Sequence, residues 1–359
     1  ANNDNQSGSS DCSAGSGADT ITFSVFGTVT LGSTLPNITQ ELTINGTNAA
    51  KVTLDGGNSI LVMWVDTGVT AHIRNLTISN GRGGIRNNYG TVVVEDCIFS
   101  NNIEMGAIYS SGSSAGTVVV ARSRFISNTS SQGGAIRSRG TATISDSLFV
   151  GNSVPYHYGG AIFNDRESSM TITNSTFSGN SAGNLGGAVA NYVDTSVLIS
   201  NCTFYGNTAV TGGGIYNWAG AGMTIQNTIV ANNPSGGNCY NGGTLTSNGY
   251  NISGDSTCNL TDVTDQLNTN PGLGPLADNG GLTQTHALVG GSAAINKIPY
   301  GVNGCGTTLT RDQRGIARPQ PSGGLCDIGA FEAECVPSPP DMVAWWSGDG
   351  HPFDLLGQN

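Results

Sequence analysis

Apolar positions along this chain come in short, mostly β-branched runs separated by Asn, Gly and Ser, with neither a sustained helical period nor a membrane-length stretch. The runs recur in fixed order. Ile73-Arg-Asn-Leu-Thr-Ile78, Val94-Glu-Asp-Cys-Ile-Phe99, Val120-Ala-Arg-Ser-Arg-Phe125, Ile144-Ser-Asp-Ser-Leu-Phe149, Ile172-Thr-Asn-Ser-Thr-Phe177, Ile199-Ser-Asn-Cys-Thr-Phe204 and Ile225-Gln-Asn-Thr-Ile-Val230 align without gaps. Their last positions differ by 21, 26, 24, 28, 27 and 26 residues, a period too short for a helix pair and suited to one coil of a solenoid. Each unit has a second half built on Gly-Gly-Ala-Ile or a relative of it, seen at 83–85, 106–108, 133–136, 159–162, 186–189 and 213–215. An asparagine follows the Phe-type residue by three, at Asn102, Asn128, Asn152, Asn180, Asn207 and Asn233.

Short strands joined by Asn and Gly corners, in coils of about 25 residues stacking at ~4.8 Å, predict an all-β chain folded as a parallel β-helix. Phe99, Phe125, Phe149, Phe177 and Phe204 are then an internal aromatic stack, and Ile85, Ile108, Ile136, Ile162, Val189 and Ile215 an aliphatic one. The Asn column is expected at a corner that needs left-handed backbone, its amides bonding from coil to coil, and the glycine pairs at the next bend.

Composition narrows the class. Fifty-four glycines in 359 residues without a G-X-Y period exclude collagen, and recurrent apolar runs argue against disorder. With 13 Lys+Arg against 24 Asp+Glu the net charge is −11, which repels phosphate backbones and makes nucleic acid a poor partner. Eight cysteines, an even count, suit an oxidising compartment, and the opening Ala1 reads as the start of a processed, secreted chain.

Gly133-Gly-Ala-Ile136 and Phe177-Ser-Gly-Asn180 resemble the repeats of polymorphic outer-membrane proteins. Gly17-Ala-Asp-Thr-Ile-Thr-Phe23, Leu35-Pro-Asn-Ile38, Asn270-Pro-Gly-Leu-Gly-Pro-Leu-Ala-Asp-Asn-Gly-Gly281, Thr285-His-Ala-Leu288, Asp312-Gln-Arg-Gly-Ile-Ala-Arg-Pro319 and Cys326-Asp-Ile-Gly-Ala-Phe-Glu332 are similar to a large group of bacterial exported surface proteins, anchored at the C-terminus. That resemblance covers roughly residues 17–333 and implies a right-handed helix at the cell surface or outside the cell. The Cys-Ser-Leu-Arg-Glu-Ala motif common near the start of such chains is absent, with only Asp11-Cys-Ser13 in its place. After a Pro-rich linker, residues 342–359 resemble the first strand of a laminin-G-like, concanavalin-type domain.

The expected organisation is an N-terminal extension over 1–20, coils over 21–235, final coils and a disulfide-stapled cap over 236–334, and the linker with its partial strand over 335–359. Cys239 pairs with Cys258 and Cys305 with Cys326 by neighbourhood, each loop staple worth ~3 kcal/mol. Cys97 and Cys202 share a repeat position four coils apart, ~19 Å by stacking distance, which excludes a bond between them and leaves buried thiols. Cys12 and Cys335, one near each end, are left for a bond within the chain or between subunits. Val343, Trp345 and Trp346 lie on an apolar strand that a neighbouring subunit could accept, giving a head-to-tail filament.

Two outward constellations carry candidate chemistry. Asp96, Arg122 and Asp146 fall at one aligned position of consecutive coils, with Glu95 and Arg124 adjoining, and read either as a charge-compensated ladder or as acid, substrate anchor and base of a pectate-lyase- or polygalacturonase-like enzyme. Arg86, Tyr109, Arg137, Phe163, Ala190 and Tyr216, each one residue after the aliphatic column, form a stripe suited to stacking on sugar rings or docking a protein, or simply to sheet packing. His72, His157, His286 and His351 are scattered without metal-ligand spacing, so neither metal nor other cofactor is expected. The sequons at Asn174 and Asn201 coincide with the repeat consensus. Together these features predict a secreted or cell-surface structural and adhesive β-helix rather than an enzyme, with self-association and cell-surface polysaccharide as its partners.

Overall fold

The computed structural model describes residues 18–47, 52–111 and 116–334. Cys12, Cys335, Val343, Trp345 and Trp346 lie outside them. The described residues form about nine turns of roughly 26 residues each. Three parallel sheets run the length of the solenoid: ten strands from Asp19–Thr22 to Thr244–Ser247, ten from Gly27–Thr30 to Ile252–Ser253, and eight from Leu61–Val65 to Cys239–Asn241. Among the described residues no helix is long and apolar enough to cross a membrane.

Alternation dictates each strand's inward face. In the first sheet Val92 and Val94, Val118 and Val120, and Ala142 and Ile144 point inside, with Thr, Val and Ala of the same strands outside. Second-sheet strands are mostly three residues long, and their middle residue is the Phe column. Those five rings are fully buried, with successive centroids 5.1, 4.7, 4.6 and 4.6 Å apart and planes within 5° of parallel. Ile85 pairs with Ile108, and the column runs on through Ile136, Ile162, Val189 and Ile215 to Cys239.

Three polar ladders run beside the apolar columns. From Asn102 to Asn207, each column Asn donates both its backbone N–H and its Nδ2 to the Oδ1 of the next, at 2.8–3.1 Å. The other Nδ2 proton goes to the carbonyl of the preceding coil's column residue, as from Asn128 to Phe99 at 3.0 Å. Left-handed backbone falls one residue earlier than expected, at Asn101, Ser127, Gly151, Gly179, Gly206 and Asn232, with φ of 51–71°. The reversing residue keeps its side chain outside so that the next can turn inward. A second ladder, absent from the sequence reading, links Asn164, Asn191, Asn217 and Asn241 at 2.8 Å per step as the chain leaves the third sheet. In the third, Ser123, Ser147, Ser175 and Thr228 hydroxyls accept N–H bonds from the preceding coil, and Cys97 and Cys202 occupy the same position. Gly160 enters the third sheet where a Cβ would fall 2.1 Å from the Gly187 carbonyl oxygen.

The expected cap divides in two. Residues 255–267 close the last coil: Cys258, bonded to Cys239, and Leu260 join the interior, while Asp265 accepts the backbone N–H of Asn251. The remainder does not cap the end but folds back along the outside of the second sheet. Its footing is Arg311 O on Asn174, Gln313 on Thr176, His286 on Ser178 and Ala330 N–H on Thr203. The cause is apolar outward positions, since Ile229, Ala231 and Ile252 bury themselves against Ala294, Ile298, Ile328 and the Cys305–Cys326 disulfide. Inside this flap a charged cluster is locked together: Arg314 on Asp312 at 2.8 Å, and Arg318 on Glu332 at 3.2 Å.

Candidate functional site

The outward residue of each third-sheet strand falls in one register: Trp64, Arg86, Tyr109, Arg137, Phe163, Ala190, Tyr216 and Tyr240. Trp64 and Tyr240 extend the expected stripe at its two ends. The Arg86 guanidinium lies 4.6 Å from the Trp64 ring and 5.3 Å from the Tyr109 ring, and Arg137 lies 5.2 Å from Tyr109 and 5.8 Å from Phe163. Arg137 is fixed by Asp165, whose Oδ2 also accepts a bond from Arg139. Burial alone would raise the Asp165 carboxyl, but hydrogen bonds from Arg137 and Arg139 outweigh it and hold the group below its ordinary value.

Phe163 and Ala190 correct the expected stripe, because both are buried. Tyr158 and Tyr192 lie 5.8 and 5.6 Å from the Phe163 ring, and Trp218 stands 5.2 Å from Tyr158, 4.7 Å from Tyr192 and 5.2 Å from Tyr216. Tyr216 stacks on Tyr240 at 4.7 Å, 11° from parallel. Burial, with Tyr240 and Tyr158 adding, pushes the Tyr216 hydroxyl upward, so this phenol stays neutral. Tyr158, Tyr192 and Trp218 were missed because they sit outside the third-sheet strands, whose register made the stripe readable.

The charged column lies at the corner between the first and second sheets. Asp96, Arg122 and Asp146 have φ of 55°, 47° and 51°, the left-handed position that Asn75, Asn174, Asn201 and Asn227 hold in other coils. Arg122 grips both Asp96 oxygens at 2.8 and 2.9 Å and reaches Glu95 at 3.5 Å, while Glu95 also takes Arg74 at 2.8 Å. The Asp96 hydrogen bonds make Arg122 a still weaker acid than usual. Asp146 stands apart from this ion-pair chain and accepts from Asn174 Nδ2 at 3.3 Å; burial raises its carboxyl above the ordinary value. A pocket of about 250 Å³ separates Arg122 and Asp146 from Arg311, Asp312 and Arg314 of the flap.

A family model described as the right handed beta helix region matches residues 59–228. The described residues fold as a parallel β-helix. No curated protein and no solved structure matches the chain. The matched stretch of the β-helix holds most of the aromatic stripe and the whole charged column. Regions of this kind occur in pectate-lyase-like enzymes and in non-enzymes, so the function has to be argued from the site.

The remaining candidates are structural in geometry. His286 bonds Gly274 O at 2.8 Å and Ser178 Oγ at 3.0 Å, and burial lowers its pKa so that it stays neutral. Cys97 and Cys202 are buried free thiols pushed up to about 12 by desolvation. Asn201 is 1% exposed, too enclosed in the folded chain for a glycan, and Asn174 is bonded to the flap. Among the described residues no group of three or more His, Cys, Asp or Glu is placed to hold a metal ion. Two disulfides in the described residues suit an oxidising compartment.

Proposed function

We propose that this β-helix is an extracellular structural and adhesive rod, not an enzyme, whose third sheet lies against polysaccharide. The observation that carries this reading is the band of rings from Trp64 to Tyr240, eight coils or ~35 Å long, held in place by Arg and by one another. Aromatic edges at coil spacing, held by the groups on their faces, offer apolar contact to the C–H groups of sugar rings, and their rigidity keeps the entropy cost of binding low. The charged column favours the ladder over catalysis, because Arg122 is already engaged by Asp96 and Glu95 rather than open to substrate. The test is sedimentation with insoluble polysaccharides. Wild-type protein is expected to pellet with at least one of them and Tyr216→Ala/Trp218→Ala to stay in solution, while release of reducing ends or unsaturated products, abolished by Asp146→Asn, would overturn the reading in favour of an enzyme.

End-to-end association is favoured by a second observation. Ile21, Val25 and Val29, on or beside the first strands of two sheets, are 36%, 74% and 45% exposed, and no described strand pairs the outer edges of Asp19–Thr22 and Gly27–Thr30. An apolar open edge of this kind accepts a strand from another copy. Electron microscopy of wild type beside Ile21→Lys/Val29→Lys tests it, with rods joined end to end only in the wild type as the supporting result.

A further inference from the structure

We propose that the Trp64–Arg86–Tyr109 segment of the band is a subsite for the acidic group of a polysaccharide, a carboxylate or sulfate gripped by Arg86 while the edges of the flanking rings line the sugar. The inference rests on the glycan-binding reading above and names the ligand class for one end of the band.

Arg86 differs in its bonding from Arg82, Arg137 and Arg139 of this face, and from Arg166, which also forms no ion pair with a described carboxylate but is exposed and lies over one ring, Tyr192 at 5.5 Å, rather than between two. Arg137 and Arg139 share Asp165, and Arg82 lies 3.9 Å from Glu104. Arg86 forms no ion pair with a described carboxylate, and its Nε is buried with no hydrogen-bond partner. Its guanidinium lies between two π faces, Trp64 at 4.6 Å and Tyr109 at 5.3 Å. The nearby Asp66 carboxylate is taken by the Trp64 indole N–H at 2.8 Å, which fixes the ring.

A cation held between two aromatic faces keeps its charge and its planar fork of N–H donors while losing much of its hydration. Leaving that charge unpaired costs free energy that an anion with two acceptor oxygens would recover through charge-assisted bonds to the Nη groups, the Nε being buried. In a chain of net charge −11, such a cation is a local exception rather than part of a basic surface, so a polyanion has to be recognised here through contact and not drawn in by the overall field. Trp64 and Tyr109 are two coils apart, ~9.6 Å, which leaves room for an acidic sugar between neighbours that lie against the ring edges.

Binding of two matched polymer pairs tests the assignment: polygalacturonate against the same polymer with its carboxyls reduced to alcohols, and dextran sulfate against dextran. The expected result is tighter binding of at least one acidic member than of its neutral partner. Arg86→Ala should lose tenfold or more on that acidic polymer and nothing on the neutral one. Arg86→Lys should fall between, and Arg82→Ala, which removes the same charge from the same coil, should bind as wild type. Which pair responds separates carboxylate from sulfate. Equal loss in Arg82→Ala and Arg86→Ala would overturn the subsite, as would neutral and acidic polymers binding alike with Arg86→Ala unchanged; in the latter case the band still binds glycan. If wild type binds none of the four polymers, the subsite is overturned together with its parent reading for these sugars.

Discussion

The ring of Phe149 lies 4.6 Å from that of Phe177, the two planes 3° from parallel, and Phe125 covers its other face at 4.7 Å. Neighbours on both sides belong to rigid parallel strands and cannot close fully over a gap. Phe149→Ala is therefore expected to cost ~3–5 kcal/mol, read from urea melts followed by circular dichroism, and Phe149→Leu distinctly less. A loss below ~1 kcal/mol for the alanine variant would mean that the column does not bear on stability.

Thiol labelling checks the polar ladder. Cys97 Sγ lies 3.4 Å from Ile73 O and 3.2 Å from Glu95 O, and Cys202 Sγ lies 3.2 Å from Ser200 O. With both pushed up to about 12 by burial, neither is a thiolate at neutral pH. Iodoacetamide followed by peptide mass spectrometry should leave both unmodified in the native protein and modify both in guanidinium chloride. Modification of either in the native protein would contradict the placement.

The Phe and Asn columns were legible because each coil repeats them at a fixed offset, so one wrong alignment would misplace every member. The Asn164–Asn191–Asn217–Asn241 ladder carried an equally plain signal, an Asn two residues after the aliphatic position, that was passed over in favour of the residue between them. Left-handed corners were misplaced by one residue because Asn serves both as the reversing residue, at Asn101, and as the inward amide, at Asn102. The fold-back of the flap was harder to read: Ile229 and Ile252 stand where an exposed sheet would be polar, but nothing local says which segment covers them. The same holds for Tyr158, Tyr192 and Trp218, which reach the band from outside the third-sheet strands.

Acidity should act on the flap through Glu332. Burial, with the Asp327 charge adding and the Arg318 charge opposing, pushes its carboxyl up to about 7. The raised value means that the folded state binds a proton the unfolded state has released. The stabilising contribution is thus complete below the unfolded value, 4.5, and is lost as pH rises through about 7. Asp165 and Asp255, held below their ordinary values, act in the opposite sense at lower pH. The readout is accordingly a difference: Tm of Glu332→Gln minus Tm of wild type should rise between about pH 5 and about pH 8. A constant or falling difference would show that Glu332 stays ionised throughout.

Hydroxyl-radical footprinting with and without a bound polysaccharide tests the adhesive role of the third sheet most directly, because it reports each aromatic residue separately. Protection is expected at Trp64, Tyr109, Tyr192, Tyr216, Trp218 and Tyr240, with none at Tyr89 or Tyr156, exposed aromatics outside the band. Unchanged oxidation along the band, or protection centred instead on Leu282 and the pocket between Arg122 and Arg311, would contradict it.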